Sequence, residues 1–190
     1  MKTRQIILSI LLCLFCPASY AQEVDKYFPT QLFKYLTELN ERIELFFTKE
    51  KADNLNRNLG YFKTDLKNYL VVRKNLMEQL EANDYNVNNP GVKQTVTELS
   101  AELDKLAKRL ADLNAYVETV LPENENIYNI AFDVDAQRSR YISKLEDLLA
   151  GKQVDKRQLK ADGRDIYNKL SKSAKLAGSI QKKLREQYNI

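Results

Sequence analysis

Residues 89–122 read NPGVKQTVTELSAELDKLAKRLADLNAYVETVLP, and this stretch decides the fold class. Its apolar residues recur at alternating spacings of four and three, as expected of a helix that buries one stripe. They are Val92, Val96, Leu99, Leu103, Leu106, Leu110, Leu113, Val117 and Val120. Asn89 can cap a helix, Pro90 suits its first turn, and Pro122 cannot continue it. The pattern therefore predicts one helix between Asn89 and Pro122.

The residues beside this stripe indicate how many helices pack together. When Val96 and every seventh residue after it are placed at heptad position a, the e positions are Ser100, Ala107 and Asn114. Small e residues let a third helix approach the seam, so the heptads favour the core of a bundle over an isolated two-stranded coil. Self-association through the same stripe is the alternative.

The same period covers most of the chain after residue 22. A first predicted helix, capped by Thr30 and widened by Phe33 and Phe47, carries Leu32, Leu36, Leu39, Ile43 and Phe46. A second carries Ala52, Leu55, Leu59, Phe62, Leu66, Tyr69, Val72, Leu76 and Leu80. A fourth, interrupted at Arg138 and ended by Gly151, carries Ile127, Ile130, Val134, Tyr141, Leu145 and Leu148. The last, which opens with the capping-box pair Asp155 and Gln158, carries Leu159, Gly163, Ile166, Leu170, Ser173, Ala177, Ile180 and Leu184.

These stripes predict an all-α protein: an elongated antiparallel bundle of four to five long helices with coiled-coil-like packing. We expect residues 22–190 to form a single domain, because no composition shift marks a boundary. Residues 83–91 are rich in turn-forming residues and predict a loop. The break between the first two helices is left open from residue 48 to residue 60, because Gly60 suits either the end or the interior of a helix.

Residues 1–21 have the three parts of a secretory signal peptide. Lys2 and Arg4 supply the positive charge, residues 6–16 are apolar, and a small-residue cleavage signal ends at Ala21. The apolar run is too short to cross a bilayer as a helix, which takes about 20 residues. We therefore expect cleavage after Ala21 and a mature protein in the bacterial periplasm or outside the cell.

The residue inventory excludes several classes of catalytic site. The chain has no His, and Cys13 and Cys16 both lie in the removable segment. Without them, His-dependent acid–base catalysis, thiol nucleophiles, disulfides and the usual zinc and haem ligands are not available. The glycines stand singly and do not form a phosphate-binding loop. We expect neither a cofactor nor a metal.

Paired carboxylates are the remaining route to enzymatic chemistry, and hydrolysis is the reaction they would support. The pairs are Glu41 with Glu44, Glu98 with Glu102, and Asp133 with Asp135. The first two pairs lie off the apolar stripes, where solvated carboxylates keep ordinary pKa values. The third lacks the Gly and the closing Glu of a calcium loop. We therefore predict that the chain is not an enzyme.

Positive charge is concentrated at the end of the chain. Residues 152–190 hold eleven Lys and Arg against four Asp and Glu, a net charge of +7. On a helical projection four of these cations share one side of the last predicted helix, opposite its apolar stripe, and two more flank them. We call this set the basic ridge; it consists of Arg157, Arg164, Lys175 and Lys182, flanked by Lys172 and Lys183.

The leading hypothesis for function is a secreted or periplasmic interaction or scaffold protein that presents helix surfaces to a protein partner in the cell envelope. A periplasmic holdase-type chaperone, or a subunit associated with a secretion system or pilus, is the alternative. The basic ridge adds a third hypothesis, binding of an anionic envelope polymer or of lipid headgroups. An uncovered apolar side chain would mark an interface, and Phe33, Phe47 and Tyr116 are the first candidates.

Overall fold

A computed structural model describes residues 28–46, 48–87, 89–121 and 141–190, and all regular elements within these ranges are helices. In chain order they are α1 (Phe28–Glu41), a short 3-10 helix (Ile43–Leu45), α2 (Lys49–Ala82), α3 (Pro90–Val120), α4 (Ser143–Leu149) and α5 (Lys156–Tyr188). The predicted all-α class and helical bundle are confirmed. The predicted signal peptide, Phe47, Arg138 and the pair Asp133 and Asp135 lie outside the described residues.

Helix α2 is the centre of the bundle, because both other long helices pack against it. It has 34 residues, which corresponds to about 50 Å at 1.5 Å per residue. Helix α3 runs antiparallel to it. Near the end of α3 the Tyr116 hydroxyl donates to the carbonyl of Lys51 at 2.8 Å, and near its middle Arg109 Nε donates to Asp65 Oδ2 at 3.0 Å.

Helix α5 also runs antiparallel to α2. At one end of the pair Arg164 Nη2 donates to Glu81 Oε1 at 2.9 Å, and at the other Lys49 Nζ donates to the carbonyl of Asn189 at 2.8 Å. Helix α1 packs against α5, whereas the short helix α4 packs against α3 and forms an ion pair with α5. The start of α1 lies beside Lys172, in the middle of α5, whereas α4 contacts the first turns of α5.

The apolar stripes form a single core. Apart from Val120, which is half-buried, every stripe residue predicted for α3 is buried, and so is every one predicted for α2 and for α5. Small residues on the α5 stripe allow close packing, since Gly163, Ser173 and Ala177 are all buried. Burial of this periodic surface is the main favourable contribution to the stability of the bundle.

The helix boundaries differ from the predictions at the start of α1 and at the break that follows it. Helix α1 already includes Phe28, so Thr30 lies inside it and the predicted cap at Thr30 is wrong. The break between the first two helices falls between Glu41 and Lys49, where Thr48 accepts a bond from the backbone nitrogen of Lys51 at 3.2 Å. Gly60 is therefore inside α2.

The cap of α5 makes only half of the predicted capping box. The side chain of Asp155 accepts bonds from the backbone nitrogens of Arg157 and Gln158 at 2.9 and 3.1 Å. The side chain of Gln158 turns away from the cap and donates to Asp162 Oδ1 at 2.8 Å. Gln158 thus donates along the helix instead of accepting the bond from the Asp155 backbone nitrogen that a capping box requires.

Among the described residues Arg73 is the charged residue that is fully buried in the core, and its burial was not predicted from the sequence. The side chain of Arg73 on α2 is fully buried, and no described carboxylate forms an ion pair with it. Its Nη1 donates to the Tyr69 hydroxyl at 2.9 Å, and its guanidinium lies 4.0 Å from the centre of the Tyr141 ring. Cation–π contact and hydrogen bonding offset part of the cost of burying this charge.

Gly163 makes room for this arrangement. A Cβ atom at residue 163 would lie 3.0 Å from the Tyr141 hydroxyl oxygen and 3.2 Å from a ring carbon. Burial raises the pKa of Tyr141 to about 12, with the positive charge of Arg73 acting in the opposite direction. The Tyr141 side chain therefore stays neutral at physiological pH, between α5 and the guanidinium.

We predict opposite effects for alanine at two glycines of α5. Gly163→Ala should lower the free energy of unfolding by about 1–3 kcal/mol, because the new methyl group collides with Tyr141. Gly178→Ala should raise it by about 0.5–1 kcal/mol, because its Cβ would meet only the Lys63 side chain at 3.8 Å and alanine favours the helix. Urea denaturation measures both. Equal stability of the two variants would contradict the packing described here.

Candidate binding face on α5 and α2

The six residues of the basic ridge all lie on α5, and their side chains are exposed to solvent. Two of them have acidic neighbours: Arg164 bonds to Glu81 of α2, and Lys182 Nζ lies 3.6 Å from Glu186 Oε1. The other four form no ion pair with any described carboxylate. They are Arg157, Lys172, Lys175 and Lys183. The ridge is thus only partly neutralised within the described chain.

Helix α2 extends the ridge across the seam between the two helices. Gly178 of α5 lies against Lys63 of α2, with the Lys63 Cδ and Nζ atoms 3.8 and 3.9 Å from the position of a Cβ atom. Lys67 follows one helical turn later, and Lys74 lines a shallow pocket together with Arg164. We call the combined surface the basic face; it consists of Arg157, Arg164, Lys175, Lys182 and Arg185 on α5 and Lys63, Lys67 and Lys74 on α2.

Lys63 is the structural centre of the basic face. Its Nζ donates to Gln181 Oε1 at 2.5 Å, and the amide nitrogen of buried Gln181 donates to the carbonyl of Asn56 at 2.9 Å. Desolvation lowers the pKa of Lys63, and the nearby positive charges of Lys67 and Arg185 lower it further. None of these three cations forms an ion pair with a described carboxylate. Such a group favours binding of an anion, which would relieve the mutual repulsion.

At the other end of the basic face, near the start of α5, Glu81 neutralises part of the charge. Glu81 Oε1 accepts a hydrogen bond from Arg164 Nη2 at 2.9 Å and lies 3.4 Å from Lys160 Nζ. Burial opposes its charge, but the hydrogen bonds and positive charges of Arg164 and Lys160 hold the pKa of Glu81 below its ordinary value. Unneutralised charge on the seam is therefore concentrated around Lys63.

An apolar side chain lies among the cations. Val71 of α2 is 67% exposed and comes one turn after Lys67 and one turn before Lys74. Interfaces between proteins commonly join an apolar centre to a charged rim. Tyr116, one of the first candidates for an interface, is instead half-buried against α2 through its bond to Lys51.

A groove lies between α1 and α5, beside the basic face. It has a volume of about 340 Å³ and is lined by Pro29, Thr30, Phe33, Lys34, Lys169 and Lys172. Phe33 is 42% exposed there, in agreement with the prediction that it is an uncovered apolar side chain. The groove therefore joins an apolar wall to a rim of ammonium groups.

Two of the three predicted carboxylate pairs lie within the described residues. Glu41 and Glu44 are both exposed, at the end of α1 and in the 3-10 helix. Glu102 is only 9% exposed, so the expectation of a fully solvated pair at Glu98 and Glu102 is wrong. It is buried at the edge of α3 and paired with Lys105 Nζ at 2.5 Å.

Residues 28–46, 48–87, 89–121 and 141–190 contain no group of three or more acidic side chains placed to hold a metal ion. None of the helices in these ranges combines the length and the apolar character needed to span a membrane. Comparison with protein-family models, curated proteins and solved structures finds no match for this chain.

We predict that the pKa of Lys63 reports its charged neighbours. Lys67→Gln and Arg185→Gln should each raise this pKa toward its ordinary value, because each removes a nearby positive charge. Desolvation by the α2–α5 seam remains in both variants, so the shift should be partial. Arg157→Gln, at the far end of α5, is the control and should leave it unchanged. NMR titration of the Lys63 Nζ resonance measures the effect, and an unchanged pKa in both variants would refute the clustering.

Proposed function

We propose that the mature chain is a non-enzymatic interaction protein of the bacterial periplasm or exterior that presents its basic face to an acidic protein partner. The observation that carries the proposal is the convergence of Lys63, Lys67 and Arg185 from two helices without a described carboxylate bonded to any of them. The signal-peptide pattern of residues 1–21 supports the location.

The proposal also includes the finer architecture predicted from the sequence. An elongated antiparallel bundle with coiled-coil-like packing would hold α2 and α5 rigidly side by side. Cations on a rigid scaffold lose little conformational freedom on binding, which favours affinity. The complementary charge of an acidic partner would also speed association and fix its orientation.

The geometry of the seam favours a second candidate, an anionic polymer. Lys63 and Lys67 lie one turn apart on α2, about 6 Å in the axial direction, and Arg185 of α5 is near enough to lower the pKa of Lys63. A linear polymer with regularly spaced negative charges would match such a row. Binding of this kind falls steeply with salt concentration, because bound counterions are released. This dependence separates a polymer from a protein partner with an apolar contact at Val71.

Two double charge reversals test the proposed function. Lys67→Glu/Lys175→Glu changes the basic face, and Lys93→Glu/Lys108→Glu changes exposed lysines of α3 by the same net charge. We expect wild type and the α3 variant to capture the same acidic protein from an envelope extract. With that protein purified, the basic-face variant should bind at least about tenfold more weakly, which is about 1.4 kcal/mol.

The outcomes separate the candidates. Loss of binding to polyphosphate or DNA by the basic-face variant alone, with no protein captured, would replace the protein partner by a polymer. Equal binding by both double variants, or no acidic ligand of either kind for wild type, would contradict the proposed function. Circular dichroism and urea denaturation of each variant establish that both are folded.

A further inference from the structure

The groove between α1 and α5 has the composition of a small-molecule site. Its volume of about 340 Å³ falls in the range of ligand pockets, about 300–1,000 Å³. Six residues line it, whereas one side of a protein–protein interface takes about 20–30 residues. The groove is therefore matched to a compact ligand.

The apolar part of the groove is not required by the core. Leu32 and Leu36 on α1 are fully buried and anchor this helix, whereas Phe33 faces outward and is 42% exposed. Among the described residues, Tyr61 and Val71 are the other large apolar side chains with high exposure. Neither of those two lines the groove. Phe33 thus combines exposure with a concave setting, where an apolar ligand could cover it.

The rim of the groove selects the charge of the ligand. Lys34 and Lys172 are exposed on opposite sides, one on α1 and the other on α5, and neither forms an ion pair with a described carboxylate. Lys169 also lines the groove, but its Nζ already lies 3.0 Å from Asp165 Oδ2. Two ammonium groups beside an apolar wall complement one negative group on a hydrocarbon body.

We propose that this groove binds a single small amphiphilic carboxylate, whose hydrocarbon body covers Phe33 and Pro29 and whose carboxylate lies between Lys34 and Lys172. No covalent step is involved, and both lysines remain protonated. The site is separate from the seam around Lys63, so it does not depend on the proposed function of the basic face.

Octanoate is the probe that tests this site. Octanol and acetate are the controls for its carboxylate and its hydrocarbon chain. Isothermal titration of the folded mature protein should show saturable binding of one octanoate per chain. Octanol lacks the charge, so its affinity should be at least about tenfold lower than that of octanoate. Acetate lacks the hydrocarbon and should show no saturable binding.

Two groove variants and two matched controls locate the binding. Phe33→Ser should weaken octanoate at least about tenfold, and Lys34→Gln/Lys172→Gln should remove the preference for octanoate over octanol. Val71→Ser removes an exposed apolar residue elsewhere and should bind like wild type. Lys67→Glu/Lys175→Glu alters the basic face and should also bind octanoate like wild type.

Three results would overturn the proposal. They are the absence of saturable octanoate binding to wild type, equal weakening by Phe33→Ser and Val71→Ser, and an unchanged preference for octanoate in the double lysine variant. Loss of partner binding in Lys67→Glu/Lys175→Glu with octanoate binding intact would show that the two sites act separately. Because Phe33, Lys34 and Lys172 are exposed, the groove variants should keep the wild-type unfolding midpoint within error.

Discussion

The close approach of α2 and α5 is the constraint on which the rest of the structure depends. Gly60 and Gly178 lie on this seam, where a Cβ atom at residue 60 would be 3.1 Å from the side-chain nitrogen of Gln181. Lys63 of α2 contacts α5 beside Gly178, and Gln181 accepts a hydrogen bond from its ammonium group. Charges that would be dispersed on separate helices thereby become neighbours on one surface.

The cations along this seam have different surroundings at its two ends. Where α5 begins, Arg73 is enclosed by the rings of Tyr69 and Tyr141, and Glu81 neutralises Arg164. Toward the end of α5, Lys63, Lys67 and Arg185 face solvent without an acidic partner among the described residues. One end of the seam therefore contributes to stability through aromatic contacts, and the other leaves charge for a ligand. This contrast supports the proposed binding site around Lys63.

Apolar periodicity was sufficient to predict the three long helices α2, α3 and α5, because burial of one stripe is a local property that the chain repeats. The stripes of α3 and α5 are buried as predicted, and Asn89 and Asp155 cap these helices. The basic ridge was visible for the same reason. Lys63, Lys67 and Arg73 were missed because their roles depend on which helix lies beside α2, and no residue spacing within α2 encodes its neighbour. The burial of Glu102 was missed for the same reason, because it also depends on how neighbouring helices pack.

Site-specific photo-crosslinking tests the central claim, that the basic face is the docking surface, most directly. A benzophenone amino acid in place of exposed Val71 lies between Lys67 and Lys74, and the same group in place of exposed Ala101 on α3 is the control. In intact cells the account predicts one discrete crosslinked species from position 71 and none from position 101. Crosslinks of equal yield from both positions, or from position 101 alone, would contradict it.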